Sequence, residues 1–306
     1  MIVLWIVLGL VLLAVLVLAV MSQKIAKSIA QPKRSSLAEE EKWEKDLGLW
    51  DDFDELNKTE YQVAGKDGYV LHCELVDTDA TRGTGKYVII SHGFTSNRLG
   101  AVKYVDSYIS QGFSCVIYDL RDHGENAVSA CTIGNWESED LKCLIEDTYQ
   151  RYGEDIYLGL HGESMGSSTS LSVLKYQPNL RFVVADCGFA NLYELIETGL
   201  NQKNIGWLTP MVNLWLKIRW RFDMKETSAV DCLKGNRVPV CFIHGAADDF
   251  IAPENSQRLQ KATRGYSELH LVPDAKHAQS VKVIGKKKYT KIIAQFVEAV
   301  NIMADA

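Results

Sequence analysis

Gly162-Glu163-Ser164-Met165-Gly166 is the stretch of this chain whose residue types and spacing could do chemistry most directly. It reads G-x-S-x-G, a pattern in which a serine sits on a sharp strand-to-helix turn. Asp155 to His161 before it is a short apolar run of strand type, and Ser167 to Tyr176 after it is small, then apolar, of helix type. Glycine two places to either side lets strand and helix pass close to a residue held in a strained backbone conformation. The serine hydroxyl is then exposed, with the Met165 N–H and the start of the following helix beside it. Taken alone, the stretch could also be an ordinary tight turn with a solvated serine.

An exposed serine is a poor nucleophile until a neighbouring base takes its proton. The base in turn needs a third group to hold its tautomer and stabilise its charged form. Downstream, His244-Gly245-Ala246-Ala247-Asp248-Asp249 follows an apolar strand run and offers two carboxylates. Pro273-Asp274-Ala275-Lys276-His277 follows the last strand run and offers the only histidine beyond it. His270 lies inside a strand run, where its side chain is expected to point into a packed face. His92, His161 and His244 each precede a glycine at a strand end, where a structural histidine is the commoner outcome.

These residues need elements to carry them, and the chain supplies a repeating strand–helix pattern. Tyr61 to Ala64 and Tyr69 to Val76 read as a strand pair across the turn signal Gly65-Lys66-Asp67-Gly68. Lys86–Ser91, Ser114–Leu120, Arg181–Ala185, Val238–His244 and Glu268–Val272 read as further strands. Helices are expected over Ala101–Gln111, Glu137–Tyr152, Glu254–Thr263 and Lys287–Met303. Such alternation implies a mostly parallel sheet covered on both faces, with sites beyond the carboxyl ends of its strands. Phe189 to Gly235 is a long insert rich in apolar and aromatic residues, with Lys217, Arg219 and Arg221 among them.

Met1 to Met21 carries no charged or strongly polar side chain. A helix of that length spans roughly 30 Å, the thickness of a bilayer core. No basic residue precedes it and its apolar core is too long for a cleaved signal peptide, so an uncleaved single-pass anchor over 1–21 is expected. Lys24, Lys27, Lys33 and Arg34 follow, and the positive-inside bias places the downstream domain in the cytoplasm. Residues 22–59 then form a juxtamembrane segment: the basic stretch, followed by an acidic amphipathic helix whose stripe is Trp43, Leu47 and Trp50, expected to pack on the flank of the domain.

The chain has 306 residues and a net charge of −6, enough for one large α/β domain over 60–306 and against a nucleic-acid partner. Its seven cysteines are scattered, with no C-x-x-C pair and no zinc-type spacing, and read as small core filler in a reducing compartment. No metal or organic cofactor is expected.

Ser164, Asp248 and His277 occur in the chain order of the α/β-hydrolase superfamily, and the resemblance covers about residues 60 to 303. His92-Gly93-Phe94 resembles that superfamily's oxyanion-loop H-G-x, and Asp119-Leu120-Arg121-Asp122-His123-Gly124 its D-x-R-x-H-G loop, where the histidine is structural. Within it, the chain is most similar to bacterial membrane-anchored serine hydrolases of the esterase, dienelactone-hydrolase and prolyl-oligopeptidase-like kinds. The resemblance implies an α/β-hydrolase fold: a mostly parallel sheet of about eight strands, covered by helices, with a helical cap over the active site at about 189–235. It implies Ser164 as nucleophile, His277 as base and Asp248 as acid through the pattern H-G-x-x-D, with Asp249 as the alternative carboxylate. The backbone N–H groups of Phe94 and Met165 would form the oxyanion hole. The chemistry implied is hydrolysis of a small-molecule carboxylic ester through an acyl-enzyme, with neutral His277 taking the serine proton. Thioester, peptide or acyl-transfer chemistry would use the same residues. A non-catalytic membrane-tethered scaffold would not need them, and a dehalogenase would need aspartate in place of Ser164.

Overall fold

Short apolar runs alternating with longer amphipathic ones build a sheet with helices on both faces, as a computed structural model describes for residues 1–50 and 52–304. The strands are β1 (Asn57–Ala64), β2 (Val70–Asp77), β3 (Lys86–Ser91), β4 (Ser114–Tyr118), β5 (Tyr157–Glu163), β6 (Phe182–Asp186), β7 (Val240–Gly245) and β8 (Ser267–Val272). The helices are α1 (Ile2–Ala30), α2 (Leu37–Asp46), α3 (Val102–Ile109), α4 (Trp136–Tyr152), α5 (Met165–Ser172) and α6 (Leu192–Asn201). They continue with α7 (Thr209–Trp220), α8 (Ala229–Cys232), α9 (Glu254–Ala262), α10 (Ser280–Ile284) and α11 (Lys286–Ala304).

All eight strands form one sheet in the order β1-β2-β4-β3-β5-β6-β7-β8. β2 pairs antiparallel with β1 and with β4, and every other pairing is parallel. Parallel strands buried on both faces read as near-continuous apolar runs. β4 obeys this: Cys115 and Ile117 join the apolar cluster under α3 and α11, while Val116 and Tyr118 join the cluster under α4 and α5. Each such Leu- or Ile-sized side chain removed from water stabilises the fold by about 1.5–3 kcal/mol.

Two N-terminal features differ from the sequence expectation. The first helix runs on past Met21 to Ala30, and its last turns are packed on the domain through Ser22, Ala26, Ile29 and Ala30. The second helix ends at Asp46, one residue before Leu47, so Trp43, Leu47 and Trp50 do not share one helical stripe. Its buried residues are Glu40 and Glu44, whereas Trp43 is 61% exposed. The reason is pairing. Ser96 donates to Glu40 at 2.6 Å and the Lys103 ammonium donates to Glu44 at 3.2 Å, so this face is polar rather than apolar. A capping box starts the helix: the Glu39 amide donates to the Ser36 hydroxyl, and the Ser36 amide donates to the Glu39 carboxylate.

Candidate active site

The serine is positioned by backbone geometry that its neighbours enforce. Ser164 sits between β5 and α5 at φ 53° and ψ −113°, a conformation most L-residues avoid. A Cβ at Gly162 would stand 2.2 Å from the Gly166 carbonyl oxygen, and one at Gly166 would stand 2.1 Å from the Ser91 carbonyl oxygen. Both glycines are therefore required for strand, turn and helix to pass so closely. The Ser164 amide donates to the Asp186 carbonyl at 2.8 Å, which ties the turn to β6.

Two further strand ends bring the other groups to this turn. His277, in the loop after β8, holds its Nε2 2.8 Å from Ser164 Oγ. Its Nδ1 lies 2.8 Å from Asp248 Oδ2, in the loop after β7. With the carboxylate accepting from Nδ1–H, Nε2 is left to accept the serine proton. Of the two carboxylates in that loop, Asp248 is buried against the imidazole and Asp249 is exposed. The Phe250 and Ile251 amides donate to the other Asp248 oxygen at 3.0 and 2.9 Å. Burial alone would raise the Asp248 pKa. Hydrogen bonds from His244 and His277, with the Ile251 amide, outweigh it and hold the carboxyl well below the usual range. The two loops are also pinned together, because the Ala247 amide donates to the Ala275 carbonyl at 3.0 Å.

The remaining histidines brace the loops. The Leu120 amide donates to His92 Nε2 at 3.0 Å, and the Thr95 amide donates to His123 Nε2 at 3.1 Å. Each ring therefore carries its proton on Nδ1, donating to Gly93 and Arg121 carbonyls at 2.7 and 2.8 Å. Desolvation pushes His92 down to about 4 and both His123 and His161 down to about 3. His92 and His123 staple the 92–96 loop to the loop after β4, where the buried Asp119 accepts from the Arg98 backbone and guanidinium at 2.8 and 2.7 Å, while His161 on β5 meets the Tyr108 hydroxyl at 2.9 Å. His244 lies 2.8 Å from the Ile251 carbonyl and 3.3 Å from Asp248, so it braces the acid loop. His270 departs from expectation: on the edge strand β8 it is partly exposed and pairs with Glu268 at 2.9 Å.

Gly93 stands close enough to the serine that a Cβ there would lie 3.7 Å from Ser164 Cβ. Phe94 follows Gly93 in the chain and Met165 follows Ser164. Among the described residues, neither of their N–H groups donates elsewhere in the protein.

A pocket of about 690 Å³ opens over Ser164 and His277. Its walls come from the 93–96 loop, from Phe250 and from the N-terminal segment, including Lys33, Glu40, Trp43, Glu44, Leu47 and Leu49. The 189–235 insert is helical, yet none of its residues lines this pocket; α7 packs against α1 instead. Phe250 stands edge-on to the His277 ring with centroids 4.9 Å apart. Behind the serine, Lys103 lies 2.9 Å from Glu163 and 3.2 Å from Glu44, and Tyr104 donates to the same Glu163 oxygen. Burial would lower the Lys103 pKa, but the two carboxylates override it and keep the ammonium charged. Burial, only partly offset by Lys103, raises Glu44 to about 7, and its second carboxylate oxygen has no partner among the described residues. The sequence reading missed this trio and Phe250. Glu44 and Lys103 lie in helices where charge reads as a solvated face, and only the burial of both reveals the pairing.

Comparison with known proteins points to the same fold. Residues 84–229 match the family described as serine aminopeptidase, S33. The uncharacterized protein YqkD of Bacillus subtilis is 28% identical over 258 residues, which cover 83% of each chain. Among solved structures, the esterase Pf2001 of Pyrococcus furiosus superposes with a TM-score of 0.63 at 21% identity, covering 84% of this chain and 95% of that one. An acylaminoacyl peptidase of Pyrococcus horikoshii gives 0.61 at 14% identity, over 79% of this chain and 41% of that one. The strand order, the site loops at the carboxyl ends of parallel strands and the likeness to these structures give this chain the α/β-hydrolase fold.

Proposed function

We propose that the protein is a membrane-anchored serine hydrolase that cleaves carboxylic esters through an acyl-enzyme. The observation that carries this reading is the hydrogen-bonded line from Ser164 Oγ through His277 to Asp248, with both links at 2.8 Å. In the proposed mechanism His277 takes the serine proton as Ser164 attacks the acyl carbonyl. The imidazolium that forms is stabilised by Asp248. The Phe94 and Met165 amides donate to the developing oxyanion. His277 then protonates the leaving group, the carbonyl re-forms, and water releases the acyl group by the same steps in reverse roles.

The pocket supports a small acyl substrate: its volume of about 690 Å³ suits a small molecule, and Trp43, Leu47, Leu49, Phe94 and Phe250 give it apolar walls. The match to serine aminopeptidases keeps amide cleavage on the same residues as the second reading. The helix α1 has a mean hydropathy of 3.3 in its most apolar window, which supports a membrane span, with the domain on the cytoplasmic side. The test is hydrolysis of p-nitrophenyl esters of graded chain length, beside matched amides and thioesters, by the full chain in detergent. Ester turnover lost in Ser164→Ala and His277→Ala is the expected result. Turnover confined to amides would favour the peptidase reading, and turnover independent of both residues would remove the mechanism.

A further inference from the structure

The first helix is not on a flexible tether. Immediately after the apolar stretch it is fastened into the domain, with Ser22, Ala26, Ile29 and Ala30 buried. The Cys131 amide donates to the Ala30 carbonyl at 2.9 Å, and the Ser35 amide to the Thr95 carbonyl at 3.2 Å. Arg34 donates to the Gly124 carbonyl at 2.7 Å and also to the Asn126 carbonyl. A span fixed this way holds the domain in one orientation to the bilayer it enters.

The element packed on the base of that span is α7. Val212 and Leu216 on one side of α7 share an apolar cluster with Ala26, Ile29 and Ala30. From Met21 to Ala30 a helix rises only about 14 Å, so α7 is held at headgroup depth or just beyond. Its other side is apolar and uncovered. Leu214 and Ile218 are 55% and 66% exposed and with Met211 recur at the three-to-four-residue spacing of one helical stripe, and Trp207, in the 3₁₀ turn Gly206–Leu208 that leads into α7, is 60% exposed. Arg219 and Arg221 flank the stripe, exposed and in no ion pair among the described residues. Lys24 and Lys27 are exposed on the neighbouring helix. An aromatic end, an aliphatic row and exposed cations, Arg219 among them with its guanidinium over the Trp220 ring, lie at the base of an apolar span and fit the interface of an anionic bilayer.

We propose that the Leu214–Ile218 face of α7, with Trp207 in the turn before it, rests in the headgroup–acyl boundary of an anionic membrane, as a second lipid contact beside α1. The proposal depends on α1 being a membrane span, as proposed above, and the test separates the two. The full chain is reconstituted in phosphatidylcholine–phosphatidylglycerol vesicles whose acyl chains carry bromine near the headgroup, and tryptophan quenching is read in wild type, Trp5→Phe and Trp207→Phe. Each substitution is expected to lower the quenched amplitude. Leu214→Ser with Ile218→Ser is expected to relieve quenching of Trp207 alone and to leave hydrolysis of a soluble ester unchanged. If Trp5→Phe lowers quenching and Trp207→Phe does not, the span is inserted and the α7 contact is overturned, whether that face is bare or covered by a second copy. If Trp5→Phe also changes nothing, the anchor reading fails and takes the α7 contact with it.

Discussion

Two segments outside the sheet could have covered the serine, and they are used differently. The 189–235 insert has the apolar, aromatic composition of a cover, yet it packs on the base of α1 and leaves the pocket alone. The N-terminal segment is acidic and reads as a helix packed on the domain's flank, yet Lys33, Trp43, Glu44 and Leu47 stand in the pocket wall. Composition therefore says that a segment must bury something, and only long-range pairing decides what. Glu44 reaches Lys103 and Glu40 reaches Ser96, and those two bonds lay α2 beside the pocket over Ser164.

The comparison can be broken at several strengths. The largest effect is expected inside the pocket: Ser164→Ala in the full chain lowers ester kcat by at least about 10⁴-fold with the melting temperature nearly unchanged. Next comes the bond between the pocket wall and the strand that leads to Ser164. Lys103→Met leaves the buried carboxylates of Glu163 and Glu44 without their cation, and a loss of about 3–5 kcal/mol is expected in denaturant unfolding at neutral pH. Glu44→Gln should cost much less, because Glu44 is half protonated at about pH 7 while Lys103 keeps Glu163.

Smaller effects distinguish the two covers. Trp43→Ala should raise KM for longer acyl chains by up to about 10-fold with kcat retained, whereas Ile218→Ser should change neither by more than about 2-fold on a soluble ester. Equal effects of both would erase the distinction. Acid is a test of the bracing loops. His92, His123 and His161 are buried neutral, with folded pKa values of about 4, 3 and 3 against an ordinary 6.5. The unfolded chain then binds more protons than the folded one below about pH 6.5. Stability supplied by these rings is present above that pH and lost as pH falls toward 4, read as a declining melting temperature.

Much of this was legible from sequence because the relevant signals are local. Apolar runs ending in glycine mark β3, β5 and β7, and each ends within a residue or two of the expected place. Loop residues that leave such ends are brought together by a parallel sheet whatever their separation in the chain, which is how Ser164, Asp248 and His277 meet. What was not legible is tertiary. The buried Glu40 and Glu44 face cannot be told from a solvated one without Ser96 and Lys103, and His270 is half-exposed only because β8 is an edge strand. The choice between Asp248 and Asp249 also needed the fold, since adjacent residues point opposite ways.

The central claim is that one hydroxyl is made reactive by its two hydrogen-bonded neighbours. It is tested most directly by treating the full chain in detergent with a fluorophosphonate and locating the adduct by peptide mass spectrometry. The account predicts a single adduct on Ser164, lost in Ser164→Ala and strongly slowed in His277→Ala. No adduct on wild type, or equal labelling of Ser164→Ala, would contradict it.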